Sequence, residues 1–244
     1  MKLILSYLLI LPMIFQGSAK FDLQNAIVER HAVRHYLSTP ISDETASSIN
    51  EVVRQINEET GLNIQLIVND SKALSNFFVT YGRFSGAKNY FALVGPSDEN
   101  LLENLGYYGE LLALVCQSLG LNTCWVGGTF KKNLHRVVVN EGEEFVAIIA
   151  VGYGKNQGKQ HISKPIEELA DGLENAPQWY VEGVKLAMLG PSALNKQNFH
   201  FNYKNGKVSI GGTEEAYSQI DAGIAKLHFE IGSGKGSDIW LKIK

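Results

Sequence analysis

Residues 106–130 read GYYGELLALVCQSLGLNTCWVGGTF. From Tyr107 to Leu119 nearly every position is apolar or small, with Glu110, Gln117 and Ser118 the exceptions. A helix apolar almost all round belongs in a core rather than on a surface. Gly120 is placed to end it in the left-handed conformation, with Leu121 folding back over the last turn. The β-prone run Thr123–Val126 then leads into Gly127-Gly128. A glycine pair after a buried strand admits two readings: a tight turn, or backbone brought close to something flat or bulky that a side chain would block.

Outward from this centre the pattern alternates helix and strand. Asp22 is a candidate N-cap for a helix with Leu23, Ala26, Ile27 and Arg30 at helical spacing, and Ser42 opens a second helix that runs to about Glu59 and closes at Gly61. Ile64, Leu66 and Val68 alternate through a strand over 63–69, and Tyr90–Val94 and Phe145–Val151 are further buried strands. Helices are predicted over 71–78, 167–173 and from Pro177 to about Leu189. Lys204-Asn205-Gly206 is a strong hairpin turn between Phe199–Tyr203 and Val208–Ile210. Tyr217–Ile231 is a second largely apolar helix with Gly232 as its stop, and 240–243 reads as a terminal strand. The two aromatic-led helices, each ending in glycine, hint at two related halves, 21–158 and 159–244.

Composition narrows the functional classes. Apolar content of 45% and charged content of 19% are ordinary for a globular core. A net charge of −3 leaves no overall electrostatic footprint for nucleic acid. The two cysteines, Cys116 and Cys124, sit in apolar segments and match no metal or disulfide pattern, so both read as buried thiols. Six scattered histidines, with no HExxH, give a metal site little support. Residues 1–20 combine one lysine, an apolar run and Gly17-Ser18-Ala19, the layout of a secretory signal peptide. That points to export or membrane association; a retained segment, a misplaced start and a cytoplasmic protein are the alternatives.

Chemistry concentrates in two places. Arg30-His31-Ala32-Val33-Arg34 puts three cationic or titratable side chains within five residues at the end of the first helix. They either complement that helix's C-terminal dipole or form an anion clamp, two forked guanidiniums meeting one phosphate. Gly190-Pro191-Ser192-Ala193-Leu194-Asn195 is a loop or helix start, with Ser192 a candidate cap.

Four segments together resemble the nitroreductase family of flavoproteins. Arg30–Tyr36 is similar to its R-x-S-x-R-x-[FY] motif, Gly106–Gly128 to its central helix and following Cys-Trp-x-Gly stretch, Ala150–Tyr153 to its A-x-G-Y strand end, and Pro191–Gln197 to its P-S-x-x-N-x-Q motif. Two positions depart: Ala32 stands where the motif has serine, and Asn198-Phe199 where Pro-Trp is usual. The order departs too, because the serine–asparagine motif follows the central helix instead of preceding it. In that respect the chain resembles the TM nitroreductase branch, whose single chain is like two fused subunits.

The resemblance implies an α+β fold, a nitroreductase-like sheet flanked by helices, arranged as a single-chain pseudo-dimer of two related halves. It implies non-covalent FMN, with Arg30 and Arg34, then Arg83 and Lys164, at the phosphate. His31, Ala32, Pro191 and Ala193 share the motif positions; Ser192 and Asn195 would meet the ring edge or ribityl chain, and Gly127-Gly128 would let a backbone N–H approach N5. NAD(P)H would be the donor and a nitroaromatic, quinone or similar small molecule the acceptor, in a monomer with one FMN and no dedicated catalytic side chain. A non-enzymatic flavin-binding or storage protein and a cofactor-free interaction module are the competing readings.

Overall fold

The computed structural model describes residues 21–76, 80–212 and 216–241. The candidate leader, 1–20, lies outside the described residues, and among those described no helix is long and apolar enough to cross a membrane. The chain forms two compact units. One gathers the chain through Val28, Leu102–Glu110 and the chain from His161 onward; the other comprises Glu29–Leu101 and Leu111–Gln160.

The second unit is built on a four-stranded antiparallel sheet in the order β1-β2-β4-β3, from β1 (Gln65–Ile67), β2 (Asn89–Pro96), β3 (Asn122–Val126) and β4 (Glu143–Gly152). Of the central strands, β2 is buried except at Pro96 and β4 is buried from Ala147 to Gly152, as their continuous apolar runs require. Helix α1 (Leu23–Glu29) precedes this unit, and α2 (Asp43–Thr60) belongs to it. Ser42 Oγ accepts from Thr45 N at 3.1 Å, and Gly61 ends α2 at φ 75°. Asn57 then brackets Ile64, donating to its oxygen and accepting from its nitrogen at 2.9 and 3.0 Å, which turns the chain into β1.

Strand β1 is shorter than the alternation predicts. Ile64 and Ile67 are buried while Leu66 and Val68 are half-buried, and Asn69 at φ 54° breaks the run. Its outer edge is occupied by the chain's own later segment. The Gln65 side-chain amide donates to Val138 O at 2.7 Å and accepts from Val138 N at 2.9 Å, the two bonds that a ladder partner would make. The 129–139 segment reaches this edge across one face of the sheet, held down by the buried Phe130 and Leu134.

The first unit packs α4 (Gln178–Ala187) and α5 (Ala216–Ser233) with the hairpin of β5 (His200–Lys204) and β6 (Lys207–Gly211). Asn205 and Gly206 at φ 52° and 78° make the type I′ turn that Asn-Gly favours. Its core is aromatic: Tyr180, Phe199, Phe201 and Phe229 are buried together. The early turns of α3 (Leu101–Ser118) also belong here and meet α5 at backbone distance. A Cβ at Gly223 would lie 2.1 Å from Glu103 O, and one at Gly106 would lie 2.2 Å from Ile220 O. Around this contact Lys226 Nζ pairs with Glu103 Oε1 at 2.6 Å, Tyr107 donates to Glu230 at 2.6 Å, and the buried His228 and Glu110 meet at 3.1 Å.

Several expected elements differ. The segment expected to be helical over 71–78 is a turn at 72–74, and 77–79 lie outside the described residues. The predicted 167–173 helix is two short 3₁₀ turns, Ile166–Glu168 and Leu173–Asn175, because Gly172 at φ 73° interrupts it. Gly232 lies inside α5, where a Cβ would come 2.8 Å from Leu186 Cβ; the helix runs to Ser233, just before Gly234 at φ 62°. Helix α3 begins six residues before Tyr107, at Leu101. The terminal strand reduces to one bridge, Val208 to Trp240, with 242–244 outside the described residues. Cys116 and Cys124 are buried free thiols, both pushed up by burial.

Gly223→Ala should lower stability to chemical denaturation by about 3 kcal/mol, since neither backbone can yield to the new methyl. Gly211→Ala has nothing within 4 Å of its Cβ position and should stay within about 0.5 kcal/mol of the parent. Equal midpoints for the two variants would show that the helices do not need that contact.

Candidate functional site

In the second unit the arginine motif is not a helix end. Helix α1 stops at Glu29, so Arg30 follows its last residue directly, while Arg34 lies four residues further along an extended segment. Residues 30–37 run extended along the sheet. Ala32 bridges Thr123 in parallel, Val33 N donates to Thr123 O at 3.0 Å, and Tyr36 OH donates to Val33 O at 2.6 Å. Arg30 is buried at 4% exposure, His31 is half-buried beside Gly158, and Ala32 and Arg34 are exposed. Both guanidiniums act on the Cys124 thiol at the start of β3, Arg34 before Arg30, pulling down a thiol that burial pushes up.

Arg83 is brought to the same segment by backbone bonds. Ser85 N donates to Arg34 O at 3.0 Å, Tyr36 N donates to Ser85 O at 2.9 Å, and His35 Nδ1 lies 2.9 Å from Ser85 Oγ. Arg83 is exposed, two residues before that clasp. Gly127 and Gly128 follow the far end of β3 as a bend, half-buried and exposed respectively.

The first unit holds the remaining predicted residues as a second group. Pro191, Ser192 and Ala193 are half-buried, and Leu194 and Asn195 are exposed. Ser192 does not cap the short 3₁₀ turn Ala193–Asn195; its Oγ accepts from Gln197 N at 3.0 Å. Asn195 Nδ2 donates to Ile162 O at 3.0 Å, which turns its Oδ1 into the free-standing acceptor. Leu194, Asn195 and Gln197 have φ of 53°, 57° and 46°, a conformation that non-glycine residues adopt at a cost of about 1–3 kcal/mol each. Such strain persists only where the surroundings over-determine it. Gln197, buried at 1%, accepts from Lys164 N at 2.7 Å and donates to Met188 O at 2.9 Å, while Lys164 Nζ donates to Gln197 O at 3.3 Å.

The family model described as "Putative TM nitroreductase" matches residues 22–233 of the chain. The chain belongs to that nitroreductase family. A solved nitroreductase of Thermotoga maritima is 23% identical, covering 88% of this chain and 85% of that one, with a TM-score of 0.63. A nitroreductase-like protein of Streptococcus mutans is 15% identical over 62% of this chain and 97% of its own, with a TM-score of 0.52. A nitroreductase of Exiguobacterium sibiricum, solved in complex with FMN, is 14% identical over 64% and 99%, with a TM-score of 0.48. The first two likenesses show the mixed helix-and-sheet fold. No curated protein matches the chain.

A nitroreductase of this family is by class an oxidoreductase, and two further residues shape its serine–asparagine loop. Gln197 is the hub that ties Lys164 to the serine–asparagine loop; its place in the motif was legible, but not that its amide would be buried. Asp221 left no signal in the sequence. From the first turns of α5, both its carboxylate oxygens lie 3.0 Å from Ala193 N. Burial pushes its carboxyl up to about 6, against the pull of that N–H. A carboxyl raised this way contributes stability that is fully present below its ordinary value of 3.8 and is lost as pH rises through 6. Asp221→Asn keeps an acceptor for Ala193 N and removes the titration. Between pH 4 and 7 the parent should therefore lose stability relative to the variant, as measured by urea midpoints; a constant difference across that range would mean that the carboxyl titrates normally.

Proposed function

We propose that the protein is an FMN-dependent oxidoreductase that takes electrons from NAD(P)H and passes them to an electron-poor acceptor such as a nitroaromatic or a quinone. The observation that carries this reading is the extended segment 30–37, which is bridged to Thr123 and clasped by the Arg83 loop at Arg34 and so carries Arg30 and Arg34 on fixed backbone. Held cations with forked donors are what a phosphate dianion requires. Each unit by itself also offers groups that a flavin can use. Gly127-Gly128 offers backbone without side-chain bulk, Ser192 retains a hydroxyl hydrogen to donate, and Asn195 Oδ1 can accept from a ring N–H. Lys164 is a further cation, while His31, Ala32, Pro191 and Ala193 supply the backbone that carries these groups.

When bound, FMN supplies two-electron chemistry, accepting hydride from the dinucleotide and releasing electrons to the acceptor. The chain's own part is to bind and orient. Its arginines hold the phosphate, and the strained loop holds its polar atoms in place before any ligand arrives, which spares the ordering cost on binding. The motif order further supports a single-chain pseudo-dimer, monomeric with one FMN, and residues 1–20 support export or membrane association.

Arg34 is exposed, so Arg34→Ala should leave the fold intact and weaken FMN by about 1.5–3 kcal/mol, the scale of a hydrogen bond to a charged group. Titration of apoprotein with FMN and riboflavin checks this: riboflavin, lacking the phosphate, should bind parent and variant alike. Equal losses for both ligands would sink the phosphate assignment. Bleaching of the bound flavin by NADH or NADPH then separates an enzyme from a flavin store.

A further inference from the structure

The charge of this chain is unevenly placed. Residues 30–37, 68–90 and 127–140 carry eight of its 22 Lys and Arg but only Asp70 of its 25 Asp and Glu. All three segments lie in the second unit and are joined to one another: Ser85 N donates to Arg34 O at 3.0 Å, Lys131 N donates to Ala73 O at 3.1 Å, and Arg136 Nη1 donates to Val68 O at 2.6 Å. Asp70 is buried at 7% exposure and engaged by Tyr90 OH and Lys72 N, so it offers little compensation at the surface. One FMN phosphate needs the inner arginines, Arg30, Arg34 and Arg83. It needs neither Lys88 nor the outer group, Lys72, Lys131, Lys132 and Arg136.

Those four are exposed, yet the backbone that carries them is fixed. Phe130 and Leu134, buried at 4% and 7%, pin the segment from below, and Phe130 packs on Phe145 with ring centroids 5.3 Å apart. Arg136 is exposed and is itself tethered through only one of its five donors. A merely solvated basic face has no need of such anchoring. The group also begins three residues after Gly128, within about 11 Å of extended chain.

We propose that this outer basic face is a phosphate site that selects NADPH over NADH by its 2′-phosphate. The inference rests on the reading above, in which hydride arrives beside Gly127-Gly128. A donor whose nicotinamide stands there must lay its phosphates along neighbouring surface, and Lys131 and Lys132 are the nearest cations along the chain. The 2′-phosphate is a dianion where NADH has only a hydroxyl, so lysine and arginine placed there discriminate the two as they do in other dinucleotide sites. The surplus of positive charge also draws the donor in, and salt weakens that draw.

Two measurements on the full-length, flavin-loaded protein test this. Calorimetry with adenosine 2′,5′-bisphosphate and with AMP should show tighter binding of the bisphosphate, lost about tenfold in Lys131→Ala/Lys132→Ala and weakened by salt. Steady-state flavin reduction should show NADPH preferred, with its KM raised about tenfold in the double variant and that for NADH changed less than about twofold. Equal use of the two donors by the parent, or bisphosphate binding that the variant does not alter, overturns the proposal. So does salt-sensitive binding to phosphatidylglycerol vesicles without any preference for the bisphosphate, which would assign the face to a lipid headgroup. Should neither dinucleotide bleach the flavin while bisphosphate binding still falls in the variant, the proposed donor is wrong and the selection of NADPH falls with it. If NADH alone bleaches it, the oxidoreductase reading stands and this inference fails.

Discussion

The close approach of α3 and α5 governs the first unit. Two helices can touch backbone to backbone only where neither carries a side chain, and Gly106 and Gly223 clear that space. Once the axes are this near, polar groups on both helices lose access to water and must find one another. Lys226 with Glu103, Tyr107 with Glu230, and His228 with Glu110 are the result. The cost of desolvating Glu230 shows in its carboxyl, which burial pushes up to about 7 despite donors from Tyr107 and Trp240. The same helix carries Asp221, so the loop of Ser192 and Asn195 is registered to α5 through a single backbone N–H.

Most of the element order was legible because it rests on local chemistry. Ser42 and Gly61 bound α2, Asn205-Gly206 makes its hairpin turn, and Gly120 at φ 76° follows α3 while Leu121 N returns to Cys116 O at 2.9 Å. The failures share a cause. Gly232 looks like a helix stop in isolation, but it answers to Leu186 on another helix; β1 looks long, but its length is set by how far β2 and the Val138 backbone accompany it. Nothing within the element announces such partners.

The site was legible in kind and less so in arrangement. Two arginines four apart suggested a helix end, because α1 precedes them at helical spacing. The extended path of 30–37 comes instead from pairing with Thr123, some ninety positions away in sequence. The serine–asparagine loop was legible as a motif, while its left-handed backbone at Leu194 and Gln197 was not, since of its three left-handed residues only Asn195 is of a type that takes that conformation readily. The loop is held by Lys164 and Asp221 from outside it, through Gln197 and Ala193. Charge told a similar story. A net of −3 hides a basic face, because folding gathers segments that composition averages with the rest.

The amide of Gln65 bears on how the protein behaves in company. An edge strand with open N–H and C=O groups is a template on which another chain can add a strand, and crowded solutions select for that pairing. Here the outer edge of β1 is already engaged by Val138, through a side chain that mimics peptide backbone. A side-chain cap of this kind also ends the ladder, since the residues beyond Val138 turn away toward Glu143 and present no further row of paired groups. On that side a side chain stands in for a paired strand without a covering helix, which leaves an incoming chain fewer open groups to pair with.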